Sequence, residues 1–133
     1  MHDQIFVNLP VADLDRSVRF FTALGYTFNP TFTDENATCM ILGDSLFAML
    51  LVEPYFRTFT DRTPVDAHRQ VEVLLALPVE SRAAVDALVE KALATGGTEP
   101  RAAQDHGFMY QRVFQDPDGH AWEVFHMSGD PPA

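Results

Sequence analysis

Asp116-Pro117-Asp118-Gly119-His120-Ala121-Trp122-Glu123-Val124-Phe125 decides the fold. It reads as a tight turn feeding a strand that carries one carboxylate. Pro117 presets φ for a turn's second position, the Asp116 side chain can accept from the backbone ahead of it, and Gly119 tolerates a positive φ. Beyond the turn the side chains alternate faces. Ala121, Glu123 and Phe125 therefore share one side of the strand, and Trp122, Val124 and His126 the other. A carboxylate among apolar neighbours is costly unless a cation or a hydrogen-bond donor meets it. The partner of Glu123 is the first question this chain poses.

Working back from that turn, Met109 to Gln115 and Thr98 to Ala102 read as two more strands. Before them Ser81 caps a helix lined by Val85, Leu88, Val89 and Ala92 and ended by Gly96-Gly97. Val71 to Leu77 reads as the strand that opens this half, closed by Pro78. The first half repeats the plan. Ile5 to Leu9 is a strand ended by Pro10, and Asp13 caps a helix in which Leu14, Val18, Phe21 and Leu24 recur at helical spacing before Gly25. Thr27 to Phe32, Ala37 to Leu42 and Leu46 to Val52 follow as strands, with Asp34-Glu35-Asn36 and Gly43-Asp44-Ser45 as turns. The repeat is one of plan rather than of residues. The reading is an α+β chain of two βαβββ modules, 1–58 and 70–133, joined by a connector over 59–69. The tail from Ser128 to Ala133 is expected to fray.

Composition limits the partners. With 19 Asp+Glu against 9 Lys+Arg the net charge is −10, the wrong sign for a nucleic-acid backbone or an anionic membrane surface. Neutral or cationic small molecules suit it better. The single cysteine, Cys39, sits in an apolar run and reads as a buried, inert thiol. Asp3 and Pro10 interrupt the short apolar start, and no apolar run is long enough to span a bilayer, so a cytoplasmic location is expected.

The doubled βαβββ plan, the run Asp13-Leu14-x-x-Ser17-x-x-Phe20-Phe21-x-x-Leu24-Gly25 and the closing Asp-Pro-Asp-Gly before Glu123 together resemble the vicinal oxygen chelate superfamily. That group includes glyoxalase I, extradiol dioxygenases, fosfomycin-resistance enzymes and metal-free bleomycin-resistance proteins. The resemblance covers nearly the whole chain. It implies paired modules curling into a half-open barrel around a small-molecule cavity. It also implies, in the enzymes, metal ligands on the first and last strands of each module. Glu123 falls on the last ligand position and is the best candidate for a catalytic or metal-binding group. Phe6 stands where His or Glu is usual, and the offset that carries Asp13 to Ser81 carries Phe6 to Leu74, where His is usual. The remaining position falls on Leu50 or Leu51. Hydrocarbon thus replaces up to three of the expected donors, and a divalent ion needs three or four N/O ligands at about 2.0–2.6 Å. No cofactor is expected. The alternative is a displaced divalent metal site that recruits Glu72, Asn8 or Glu53 beside Glu123. The five histidines, at the terminus, in loops or at the wrong strand parity, do not supply such a site.

Without a metal, Glu123 needs another partner. Setting Gln115 opposite His120 puts Arg112 directly across from Glu123, with Cβ atoms about 4.5–5.5 Å apart. Strand parity then gathers Phe6, Phe47, Met49, Leu51, Leu74, Tyr110 and Phe125 as cavity walls. Tyr55, Phe56 and Phe59 cluster between Pro54 and Pro64, where loops are usually polar, and read as a lid or a subunit contact. The expected ligand-binding set is therefore Phe6, Asn8, Met49, Leu51, Tyr55, Phe56, Phe59, Glu72, Leu74, Tyr110, Arg112, Glu123 and Phe125. The leading functional reading is a metal-free small-molecule-binding protein of the bleomycin-resistance type, acting as a homodimer. A metal-dependent lyase, isomerase or dioxygenase is the first alternative, and a non-catalytic interaction or regulatory domain is the second.

Overall fold

A computed structural model describes residues 1–129. Residues 130–133, which hold most of the expected frayed tail, lie outside the described residues. The chain divides into two compact units, Met1–Val65 and the residues from Asp66 on. Each unit carries one four-stranded mixed sheet with a helix on one face, and neither sheet closes into a barrel.

In the first unit β1 (Ile5–Val11), β2 (Thr27–Asn29), β3 (Ala37–Gly43) and β4 (Leu46–Val52) lie in the order β1-β4-β3-β2. Helix α1 (Leu14–Ala23) starts where the Asp13 carboxylate accepts the Arg16 N–H at 3.1 Å, and the chain leaves it through Gly25 at φ 104°. Phe20 and Phe21 from α1 bury themselves with Leu9, Val11, Met40, Ala48 and Leu50, which form the core on the helix side. β1 runs through Pro10, where the sequence predicted its end. As an edge strand β1 pairs on one side alone, so a missing N–H there breaks no second ladder. β2 is shorter than expected, because Asn29-Pro30 starts a 3₁₀ turn over Pro30–Phe32. The Asn29 side chain accepts the Thr31 N–H at 3.0 Å, and proline at the first helical position needs no donor.

The second unit repeats the order with β5 (Leu74–Pro78), β6 (Gln104–Asp105), β7 (Met109–Gln115) and β8 (Ala121–Met127), arranged β5-β8-β7-β6. After β4 the chain coils into a short helix, α2 (Glu53–Phe56), and a 3₁₀ turn over Arg57–Phe59, both in the first unit. Helix α3 (Arg82–Ala94) is capped by Ser81, whose hydroxyl accepts the Ala84 N–H at 3.0 Å. Val85, Val89 and Ala92 bury against Phe114, Trp122 and Val124. β5 starts at Leu74 rather than Val71. The expected strand over Thr98 to Ala102 reduces to a single bridge between Thr98 and Gln115. No helix among the described residues is long and apolar enough to cross a membrane.

The closing turn is held by Asp116. This 4 % exposed carboxylate accepts from the N–H groups of Asp118 and His120 (2.9 and 3.1 Å) and from Trp122 Nε1 at 3.0 Å. Burial pushes its pKa up, against the pull of His120 and the Trp122 donor. Gly119 sits at φ 87°, and a Cβ there would come within 2.7 Å of the His68 backbone nitrogen. Both the conformation and the space demand glycine.

Candidate functional site

In the first unit, the side of the sheet opposite α1 is set by register. Phe6 pairs with Phe47, Asn8 with Met49 and Pro10 with Leu51, while Ala37 pairs with Leu51 and Cys39 with Met49. Phe6, Asn8, Met49 and Leu51 therefore share the open face, as strand parity predicted, Ala37 joins them, and Leu50 belongs to the helix side. A cavity of about 310 Å³ stands on this face. Its floor is Asn8, Ala37, Met49 and Leu51; its walls are Thr31, Phe32, Thr33 and Asp34 on one side and Tyr55 and Phe59 on the other. The Tyr55 and Phe59 rings meet edge to face at 5.2 Å, so the two aromatic walls brace each other. Phe56 is half-buried and does not line the cavity.

The polar wall is held by its own turn. Asp34 Oδ1 accepts from the backbone N–H groups of Asn36 and Ala37 at 2.8 and 3.0 Å, and the Asp34 N–H donates to the Ala37 carbonyl. Thr33 Oγ1 bonds the Asn29 carbonyl at 2.8 Å and the Thr38 hydroxyl at 2.9 Å. Sequence reasoning missed the segment from Thr31 to Asp34 because it read a strand through Phe32. The readable signal was Asn29-Pro30, a turn-starting pair.

The second unit spends its charges differently. β7 and β8 pair Gln115 with Ala121 and Val113 with Glu123. The expected facing of Arg112 with Glu123 is thus wrong by one residue. The cause lies in the turn, where five residues, Asp116 to His120, separate the paired strands instead of four, closed by a bond from the Asp116 N–H to the His120 carbonyl at 3.1 Å. A one-residue slip moves every side chain to the other face. Arg112 and Tyr110 consequently stand on the α3 side, away from the open face. Glu123 instead accepts from Gln111 Nε2 at 2.7 Å.

Arg112, 9 % exposed, is met by three carboxylates. Its Nε and Nη2 bond Glu99 at 2.9 Å each, Nη1 bonds Asp86 at 3.0 Å, and Nη2 also bonds Glu90 at 2.9 Å. Asp86 further accepts from Tyr110 Oη at 2.7 Å. The Tyr110 hydroxyl, and then Arg112, hold the Asp86 carboxyl below its ordinary range. Arg112 does the same to Glu99. Arg82 extends this surface with a two-pronged pair to Asp105 (2.7 and 2.8 Å) and lies 5.1 Å over the Tyr110 ring. Leu74, Ala121, Glu123 and Phe125 do share the open face of the second sheet. Glu72 precedes β5 and is exposed.

The residues present do not fit the metal of the superfamily's enzymes. The first unit offers Phe6 and Leu51 at the family's ligand positions, and the Phe6 ring stacks on Phe47 at 4.8 Å. The second unit offers Leu74 and one carboxylate, Glu123, already bonded by Gln111. Glu53 pairs with Arg57 at 3.1 Å. Among the described residues no group of three or more His, Cys, Asp or Glu side chains could hold an ion.

Two four-stranded mixed sheets, each of order first-fourth-third-second with one helix behind it, define the class. Residues 4–43 match the family described as bleomycin resistance protein-like N-terminal. Among curated proteins no sequence matches the chain. A hypothetical protein from S. aureus is similar at 25% identity over 95% of this chain and 94% of its own, with a TM-score of 0.81. A glyoxalase/bleomycin resistance protein/dioxygenase family enzyme from Burkholderia phytofirmans PsJN shares the fold at 19% identity, 95% and 99% coverage and a TM-score of 0.78. So does a bleomycin resistance determinant encoded on the transposon Tn5, at 18% identity, 96% and 100% coverage and a TM-score of 0.65. Residues 4–43 thus carry the signature of the bleomycin-resistance-like N-terminal family, and the fold is the one shared by glyoxalase, bleomycin-resistance and dioxygenase family structures.

Proposed function

We propose that this protein binds a small organic molecule without metal chemistry, in the manner of a bleomycin-resistance-like sequestering protein. The cavity of the first unit carries the reading. It combines apolar floor groups, two aromatic walls and a short polar side, the mix by which small-molecule sites bury a ligand and fix its orientation. The metal-dependent alternative has one donor to start from, Glu123, because the other positions that would bind the ion hold phenylalanine and leucine.

Indole, a neutral bicyclic probe of suitable size, tests the reading by protein-observed NMR. Saturable shifts are expected at Asn8, Thr31 to Asp34, Met49, Leu51, Tyr55 and Phe59. Binding should weaken several-fold in Tyr55→Ala. Shifts elsewhere or none at all would reject the site. For the metal, less than a tenth of an equivalent of zinc, nickel, manganese or iron should remain after dialysis. Near-stoichiometric metal that disappears in Glu123→Ala would restore the enzyme reading. Exposed Ile5, Phe6 and Leu46 in the first unit, and Val71, Val73 and Leu74 in the second, support the homodimer. Light scattering at micromolar concentration should then exceed the 14.9 kDa of one chain.

A further inference from the structure

We infer that the first unit's cavity selects a small aromatic monocation, a protonated amine rather than a neutral or acidic ligand, and that Asp34 is the residue that selects it. The inference rests on the binding reading above and deepens it. Among the lining residues Asp34 alone is charged, and no lysine, arginine or histidine joins it. Arg57, on the neighbouring 3₁₀ turn, is paired with Glu53 at 3.1 Å and does not line the cavity.

Asp34 differs from an ordinary surface carboxylate in being held before a ligand arrives. The N–H groups of Asn36 and Ala37 fix Oδ1 at 2.8 and 3.0 Å. Its rotamer entropy is thus already lost on folding, which removes one cost that weakens exposed ion pairs. The Tyr55 and Phe59 rings line the same cavity, and an aromatic ring attracts an organic cation. A carboxylate and aromatic rings in one lining both favour an ammonium group over a hydroxyl, and both oppose a carboxylate. Size narrows the class further. The cavity of about 310 Å³ equals roughly ten waters at about 30 Å³ each, so the ligand has on the order of ten non-hydrogen atoms.

Three probes of matched shape separate the outcomes: 2-phenylethylamine, 2-phenylethanol and phenylacetate, each titrated at pH 7 by calorimetry or NMR. The amine is expected to bind at least fivefold more tightly than the alcohol, and phenylacetate more weakly than either. In Asp34→Asn, which keeps an oxygen for the Asn36 and Ala37 amides, the advantage of the amine over the alcohol should disappear. Equal binding of amine and alcohol, or an amine preference that survives Asp34→Asn with unchanged melting, would overturn the selection by Asp34 and leave the binding site standing. Should none of the three shift the lining residues, the binding reading itself fails and the charge selection with it.

Discussion

The two units are built on one plan and dispose of their carboxylates in opposite ways. In the second unit the buried or half-buried acids are consumed internally: Asp116 by three N–H donors, Glu99 by Arg112, and Glu123 by Gln111. In the first unit Asp34 is steadied by its own turn yet stands in a cavity wall. The difference shows how a duplicated fold can separate labour. A carboxylate whose acceptor sites face fixed internal donors serves folding, whereas one held by a local turn beside empty volume can serve a ligand.

The comparison breaks first if the second unit's acids prove dispensable. Asp116→Ala removes the acceptor for two backbone amides and the indole N–H, so a loss of about 3 kcal/mol or more is expected in urea denaturation. A loss under 1 kcal/mol would mean that the turn does not depend on this carboxylate. Arg112→Met comes next, at about 2–3 kcal/mol, because it leaves Glu99 desolvated and unpaired while the more exposed Asp86 and Glu90 relax into water. Acid sharpens the same point. Asp86 and Glu99 have folded pKa values below their unfolded ones. Their contribution is therefore present above the ordinary carboxylate range and lost as pH falls through the folded values. Stability should drop by about 1 kcal/mol on going from pH 5 to pH 3, after allowing for solvent screening at these partly exposed groups, and Arg112→Met should flatten that slope. The smallest effect belongs to the first unit. Phe59→Ala removes an exposed ring and should change stability by less than about 0.5 kcal/mol, while it weakens ligand binding several-fold.

Much of this architecture was legible in the chain. Asp13 and Ser81 announced both helix starts, and the strands over Leu46–Val52, Met109–Gln115 and Ala121–Met127 have the limits that their alternation implied. Alternation also placed Phe6, Met49 and Leu51 on one open face. What failed was register. Composition cannot tell a four-residue loop from a five-residue one at Asp116–His120, and the extra residue sent Arg112 and Tyr110 to the α3 side. The polar cavity wall was hidden for a related reason. Thr31 and Phe32 have strand-forming side chains, and only the conformation that Asn29 and Pro30 impose turns them into a 3₁₀ segment. The aromatic segment after β4 was visible as an anomaly of composition, and two of its three rings line the cavity.

The chain's single tryptophan, Trp122, is 1 % exposed and hydrogen-bonded to Asp116 in the second unit. The aromatic walls of the cavity are a tyrosine and phenylalanines in the first. Emission excited at the indole edge therefore reports the melting of the second unit. Of the three tyrosines Tyr26 and Tyr55 lie in the first unit and Tyr110 in the second, so in Tyr110→Phe the tyrosine signal, and a ligand seated beside Tyr55, report on the first. One sample then carries two optical clocks, and a heating curve followed at both wavelengths shows whether the two units come apart in one cooperative step or in two.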